Sequence, residues 1–175
     1  LDDGFEIISD SKEKSDVSMF DSNYKFGQFP EGYIGAVPFM PPQRWGKAVF
    51  DTAYGSKATA VYTRYGDGDG CVEWNADIPD QGNYDLEYYI ADFNRRMRLP
   101  PDTPGADRDI LGEYNLSIKF TGEDNSVTFI PEAGQPGWQY VSSFDLKPGN
   151  VCVELSNKST GMLVYADAIR WVKRN

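Results

Sequence analysis

Cys71-Val72-Glu73-Trp74-Asn75-Ala76-Asp77-Ile78-Pro79-Asp80-Gln81-Gly82-Asn83-Tyr84-Asp85-Leu86-Glu87-Tyr88-Tyr89-Ile90 is the stretch that decides the fold class. Val72, Trp74 and Ala76 alternate with Cys71, Glu73 and Asn75, and Tyr84, Leu86, Tyr88 and Ile90 recur at the same two-residue spacing. Successive side chains of a strand point to opposite faces, so each run predicts a strand with one face on a core. Between the runs, Ile78 to Asn83 gathers Pro, Asp, Gly and Asn, the residues that punctuate turns.

Working outward, the same grammar repeats. Leu116, Ile118 and Phe120 alternate, and Gly122-Glu123-Asp124-Asn125 predicts a hairpin turn into Val127 and Phe129. Val151, Val153 and Leu155 form another half-buried strand, entered through Lys147-Pro148-Gly149-Asn150. Met162 to Val172 is nearly continuous in β-branched and aromatic residues, which predicts a strand central in its sheet. No window carries a 3.6-residue period. Short strands separated by turn clusters predict an all-β chain, a β-sandwich or jelly roll. Its core is expected over residues 45–175. Residues 1–44 are charged from Asp10 to Asp16 and rich in Gly and Pro from Gly27 to Pro42, and predict an irregular N-terminal wrap. Asp92 to Glu113 predicts one long loop holding Arg95, Arg96 and Arg98 and then Pro100 to Gly105.

Composition bounds the function. A chain of 175 residues fits one domain, so 1–175 is expected to be a single module. Aromatics at 14% provide the apolar surface that disordered segments lack. A net charge of −10 opposes the positive field that nucleic acid requires. No apolar run approaches the roughly 20 residues of a membrane span. Leu1-Asp2-Asp3-Gly4 reads as a processed or excised start, and Cys71 and Cys152 as small strand residues rather than a bridge.

Several motifs carry a family resemblance. Cys71-Val72-Glu73-Trp74 followed by Ile78-Pro79 and Gly82-Asn83-Tyr84-Asp85-Leu86 resembles the core of the golvesin C-terminal-like modules, also called xanthan-lyase-type carbohydrate-binding-like domains. Pro136-Gly137-Trp138-Gln139-Tyr140-Val141 is similar to a Gly-Trp segment of that family. Val151 to Lys158, Gly161 and Ala166-Asp167-Ala168-Ile169-Arg170-Trp171 resemble its ending, and Pro41-Pro42-Gln43-Arg44-Trp45 with Tyr54-Gly55 resembles its beginning. Val141-Ser142-Ser143 departs from the family pattern. The resemblance covers about residues 41–175. It implies a galactose-binding-like sandwich of bacterial secreted or envelope proteins, extracellular, periplasmic or cell-surface, beside glycan-active or other domains. It implies no activity of its own.

The chemistry agrees with a non-catalytic module. The chain has no histidine, which removes the commonest general base, zinc ligand and triad member. Neither cysteine adjoins a basic cluster, no Gly-x-Ser-x-Gly elbow is present, and no carboxylate pair is marked by its setting. Glycan binding is therefore the first expectation, with a structural or protein-interaction module packing on other domains of its parent as the rival. A polysaccharide lyase using Tyr or Lys as base ranks third.

Sugar rings stack on flat aromatic faces, and Trp45, Tyr33, Tyr62, Tyr65 and Tyr89 lie in loops or at outward strand phases. Trp74, Trp138 and Trp171, inside the family-like motifs, are assigned to the core. Trp45 follows a stiff Pro-rich lead-in and Tyr65 precedes Asp67-Gly68-Asp69-Gly70. Arg95 to Arg98 is the one concentrated positive charge, suited to carboxylates of an acidic polysaccharide. The expected ligand set is thus Trp45, Tyr65, Arg95 and Arg98. Asp67 to Gly70 lacks the later ligands of a calcium loop and predicts a hairpin turn between Tyr62–Tyr65 and Cys71–Trp74. Asp167 predicts a buried, hydrogen-bonded acid, with a structural calcium shared with Glu6 or Asp10 as the lesser alternative drawn from related sandwiches. No other cofactor is expected.

Overall fold

The computed structural model describes residues 6–9, 44–49, 52–55, 59–92 and 108–174. They form strands β1 (Glu6–Ser9), β2 (Gly46–Val49), β3 (Thr59–Arg64), β4 (Cys71–Ile78), β5 (Gly82–Ile90) and β6 (Tyr114–Phe120). The order continues with β7 (Glu123–Phe129), β8 (Gly137–Leu146), β9 (Gly149–Ser156), β10 (Leu163–Ala166) and β11 (Ile169–Lys173). No helix occurs among the described residues.

A five-stranded antiparallel sheet runs β1-β4-β9-β6-β7, and two three-stranded sheets run β10-β3-β2 and β11-β5-β8. The inward residues are those the alternation picks out: Val72 and Trp74, Tyr84 to Ile90 by twos, Leu116 and Ile118, Val151 to Leu155 by twos are all buried. Their rings close the sandwich. Tyr88 of β5 meets Trp74 of β4 edge-on at 5.7 Å, Tyr114 of β6 at 5.8 Å and Phe129 of β7 at 5.7 Å. Phe120 of β6 meets Phe144 of β8 at 6.2 Å. Aromatic pairs at this spacing add to the area they bury. The described residues form an all-β sandwich.

Several local expectations are corrected. Within the N-terminal stretch predicted to be irregular, Glu6–Ser9 is a strand on the edge of the large sheet, with Glu6 opposite Glu73. The segment Met162–Val172 is not one central strand. It breaks at Asp167-Ala168 into β10 and β11, each at the edge of a different small sheet. Its apolar continuity reflects burial from other directions, because Leu111 bridges Leu163 on the free side of β10. Asp67–Gly70 is no hairpin, since β3 and β4 lie in different sheets. Buried Asn157 holds this crossing instead: its Oδ1 accepts from Gly68 N–H at 2.8 Å and its Nδ2 donates to Asp69 Oδ1 at 3.1 Å. The β6–β7 hairpin is present, with its turn at Thr121-Gly122 rather than at Gly122–Asn125. Both turn residues have positive φ, 46° and 81°, as a two-residue hairpin loop with the twist of its strands requires. Cys71 and Cys152 stay as free thiols, opposite Ser156 and Asn75 on the β4–β9 ladder.

The end of the long Asp92–Glu113 segment docks on β10 through backbone. Met162 N–H donates to Asp109 O at 2.8 Å and Leu163 N–H to Ile110 O at 3.1 Å. At the crossing, Gly112 and Gly161 pass so closely that a Cβ on Gly161 would lie 2.2 Å from Gly112 N. Backbone cannot move aside as a flexible side chain does. Gly161→Ala is therefore expected to cost about 1–3 kcal/mol, the range for an overpacked site, read as a lowered melting temperature. An unchanged melt would mean that the two segments separate freely.

Candidate ligand-binding face

The outer face of β11-β5-β8 is built by one irregularity. From Gly82 to Leu86, β5 pairs with β8 in simple register, placing Tyr84 opposite Phe144 and Leu86 opposite Ser142. Between Leu86 and Glu87 the register shifts, and Val141 becomes an extra residue in β8. Counting back by twos from buried Leu146 would turn Ser142, Tyr140 and Trp138 all inward. The bulge reverses the phase beyond it, because an inserted residue flips every later side chain to the other face. Tyr140 thus stands opposite outward Glu87, and Trp138 opposite outward Tyr89.

Three rings meet at this end of the face. Trp138 and Tyr89 lie 5.3 Å apart between centroids, Tyr54 is 5.0 Å from Trp138 and 5.3 Å from Tyr89. Tyr54 is 51% exposed, which makes it the most accessible ring of the three. Interplanar angles of 57°, 66° and 76° make the group a corner rather than a plane. Arg170 of β11 lays its guanidinium 4.4 Å from the Trp138 ring centre, a cation–π contact that orients both.

The loop bearing Tyr54 is fastened from below. Tyr54 N–H donates to Asp167 Oδ2 at 2.8 Å, and Tyr165 O–H donates to the same oxygen at 2.7 Å. Asp92 N–H donates to Thr52 Oγ1 at 2.9 Å. Asp167 is the buried, hydrogen-bonded acid that its sequence setting predicts, and its backbone carbonyl also accepts from Trp74 Nε1 at 3.1 Å. Burial holds its carboxyl above the ordinary value, against the opposing pull of the two donors.

Further along the face the chemistry turns polar. Arg170 Nη2 sits 2.5 Å from Glu87 Oε2, and Arg174 Nε 2.7 Å from Asp85 Oδ1. Ser143 Oγ donates to Asp85 Oδ1 at 2.6 Å and lies 2.8 Å from the hydroxyl of Tyr140, which is 55% exposed. The Arg174 hydrogen bond, and after it that of Ser143, keeps the Asp85 carboxyl below the ordinary carboxylate value. Asn83 Nδ2 donates to Asp145 Oδ1 at 2.9 Å, the last outward pair. The face thus offers an aromatic corner followed by rows of donors and acceptors.

The expected ligand residues fare differently. Trp45 is only 6% exposed, with its indole against Gly70 under the Asn157 crossing, so it cannot present a stacking face. Tyr65 is half-buried and one side of its ring is covered by the Arg108 guanidinium at 3.8 Å. Both adjoin the Asp67–Gly70 crossing. Tyr62 is buried, whereas Tyr89 is outward as its phase predicts. Tyr33, Arg95 and Arg98 lie outside the described residues, as does Asp10. Trp138, assigned to the core with Trp74 and Trp171, is misplaced in the opposite sense to Trp45 and Tyr62, since the bulge turns it outward. Among the described residues one set of groups has metal-like spacing, Glu73, Cys152 and Glu154 on the outer face of the large sheet. Lys119 is already ion-paired with Glu154 there, and burial with the neighbouring Glu73 pushes the Cys152 thiol up to about 12, so it is protonated at neutral pH.

Fold and face together define a β-sandwich with an aromatic-and-polar surface on one sheet. The chain is similar in structure to a family 35 carbohydrate binding module from Clostridium thermocellum, at 14% identity, 73% of this chain, 87% of that chain and a TM-score of 0.46. It is also similar to the CBM35 of Cellvibrio japonicus Abf62, at 20% identity, 73% and 84% coverage and a TM-score of 0.44. A third is the Podospora anserina GH26-CBM35 β-(1,4)-mannanase, at 16% identity, 74% of this chain and a TM-score of 0.48, of which the chain spans only 25%. No protein-family model and no curated protein sequence matches the chain. No helix among the described residues is long and apolar enough to cross a membrane.

Proposed function

We propose that this chain is a non-catalytic glycan-binding accessory module of a larger secreted or envelope-attached protein, and that sugar docks on the outer face of β11-β5-β8. The observation that carries the proposal is the corner of Tyr54, Tyr89 and Trp138, turned outward by the bulge and continued by hydrogen-bonding side chains. Pyranose rings have apolar faces and polar rims, and such a corner beside Glu87, Tyr140 and Ser143 matches both parts. The golvesin-type motifs support the same reading, since Gly137-Trp138 and Asp167 supply the corner and its anchor. The absence of histidine in the sequence supports a binding role over a hydrolytic or lytic one.

Titration with soluble polysaccharides is the test. At least one should bind, and Trp138→Ala and Tyr54→Ala should each weaken it by about 1–3 kcal/mol, the loss expected for an aromatic anchor, while circular dichroism stays that of the wild type. Binding to no glycan, or binding untouched by both changes, would refute the assignment of this face. A second reading, docking against another domain of the parent, draws on exposed Tyr140 and on Val172, 39% exposed on the same face. In that case the parent's neighbouring domain, and no glycan, would protect Tyr140.

A further inference from the structure

We infer that the glycan bound by the β11-β5-β8 face is an uncharged one, a polymer of neutral sugars rather than of uronates or sulfated units. The inference rests on the glycan-binding reading of this face and adds its ligand class. The guanidinium groups on the face, those of Arg170 and Arg174, are each already engaged. Arg170 is held by Glu87 through two nitrogens, Nη2 at 2.5 Å and Nε at 2.6 Å from the same Oε2. It also covers the Trp138 ring. Arg174 is held by Asp85 at 2.7 Å, and its backbone N–H donates to Asn83 O at 2.9 Å. Asp145, exposed at the far end, adds a third carboxylate to two guanidinium groups.

An incoming carboxylate or sulfate would have to displace Glu87 or Asp85 from its arginine, and would meet the charge of the displaced group at short range. Like charges at that spacing repel, and the net charge of −10 on the whole chain adds to the repulsion. A hydroxyl meets the opposite situation. Asp85, Glu87 and Asp145 are acceptors with spare lone pairs, the hydroxyls of Tyr140 and Ser143, whose protons already run along the chain to Asp85, accept, and guanidinium N–H groups not aimed at carboxylate donate. Each sugar hydroxyl therefore finds a complement without breaking an ion pair. The face runs from the Tyr89–Trp138 row to the Asn83–Asp145 row, six steps along β5 or roughly 20 Å at about 3.3 Å per step. That length accepts a short oligosaccharide lying along the strand, with one unit in the aromatic corner and the next over the polar rows.

The test is native gel electrophoresis of the whole chain through gels containing galactomannan, xylan or β-galactan on one side, and polygalacturonate or alginate on the other, at low and high salt. At least one neutral polymer should retard the protein with little effect of salt, and neither acidic polymer should. Glu87→Gln frees Arg170 from its carboxylate, and should raise the affinity for polygalacturonate about two- to fivefold at low salt, the scale of an exposed ion pair. Retardation of the wild type by an acidic polymer, fading with salt, would overturn the neutral-ligand inference while leaving glycan binding intact. Retardation by no polymer would overturn both. Unaltered polygalacturonate affinity in Glu87→Gln would show that paired carboxylates do not set the selectivity.

Discussion

Trp45→Ala is expected to lower the stability of the fold by about 3–5 kcal/mol, the range for emptying a buried tryptophan site, and to leave glycan affinity unchanged. The sequence around Trp45 suggests the opposite, an exposed ring at a loop edge. The structure seats it immediately before β2, 6% exposed, with Nε1 near the position that a Cβ on Gly70 would take. Asn157 closes the same site from below through Gly68 and Asp69, and accepts and donates backbone bonds with Gly66 and Gly70. Removing the indole empties the space beneath a crossing that joins two sheets, and close-packed surroundings refill such a void only in part. Thermal melts beside polysaccharide titrations separate the outcomes. A variant that melts like the wild type but binds weakly would return Trp45 to the ligand site.

The second large effect falls on Asp167. Asp167→Ala removes the acceptor of the buried Tyr165 O–H and of the part-buried Tyr54 N–H, and an unsatisfied buried donor costs about 1–3 kcal/mol. The loop carrying Tyr54 would lose its anchor, so glycan affinity should fall together with stability. Asp167→Asn keeps an acceptor and removes the titration. Burial raises the folded-state carboxyl above its ordinary 3.8. A raised carboxyl contributes stability that is fully present below the unfolded value and is lost as pH rises through the folded one. The wild type should therefore lose ground to Asp167→Asn as pH climbs from below 4 toward neutrality. Melting temperatures of the pair across that window decide it. Wild type gaining on the variant with rising pH would mean that the two hydrogen bonds outweigh burial and the carboxyl is depressed.

What the sequence determined by itself was the architecture of the core. Period-2 runs such as Tyr84, Leu86, Tyr88 and Ile90 need only nearest neighbours to be read, because pleating dictates which side chains share a face. The hairpin into Val127 and Phe129, the buried Asp167 and the outward phase of Tyr89 follow from local pattern in the same way. What only the tertiary structure decided was which strand joins which sheet and which aromatics reach the surface. Asp67–Gly70 has the composition of a hairpin turn, yet β3 and β4 part to different sheets there, and turn chemistry does not distinguish a return from a crossing. Met162–Val172 is apolar enough for a central strand, yet it divides between the edges of two sheets, with Leu111 bridging the free side of β10. Trp138 is the sharpest case. Its inward or outward aim depends on Val141, three residues away, being accommodated as a bulge against Leu86 and Glu87 of another strand. That choice is made by cross-strand pairing, and a one-residue change of register reverses a side chain without altering a single local preference.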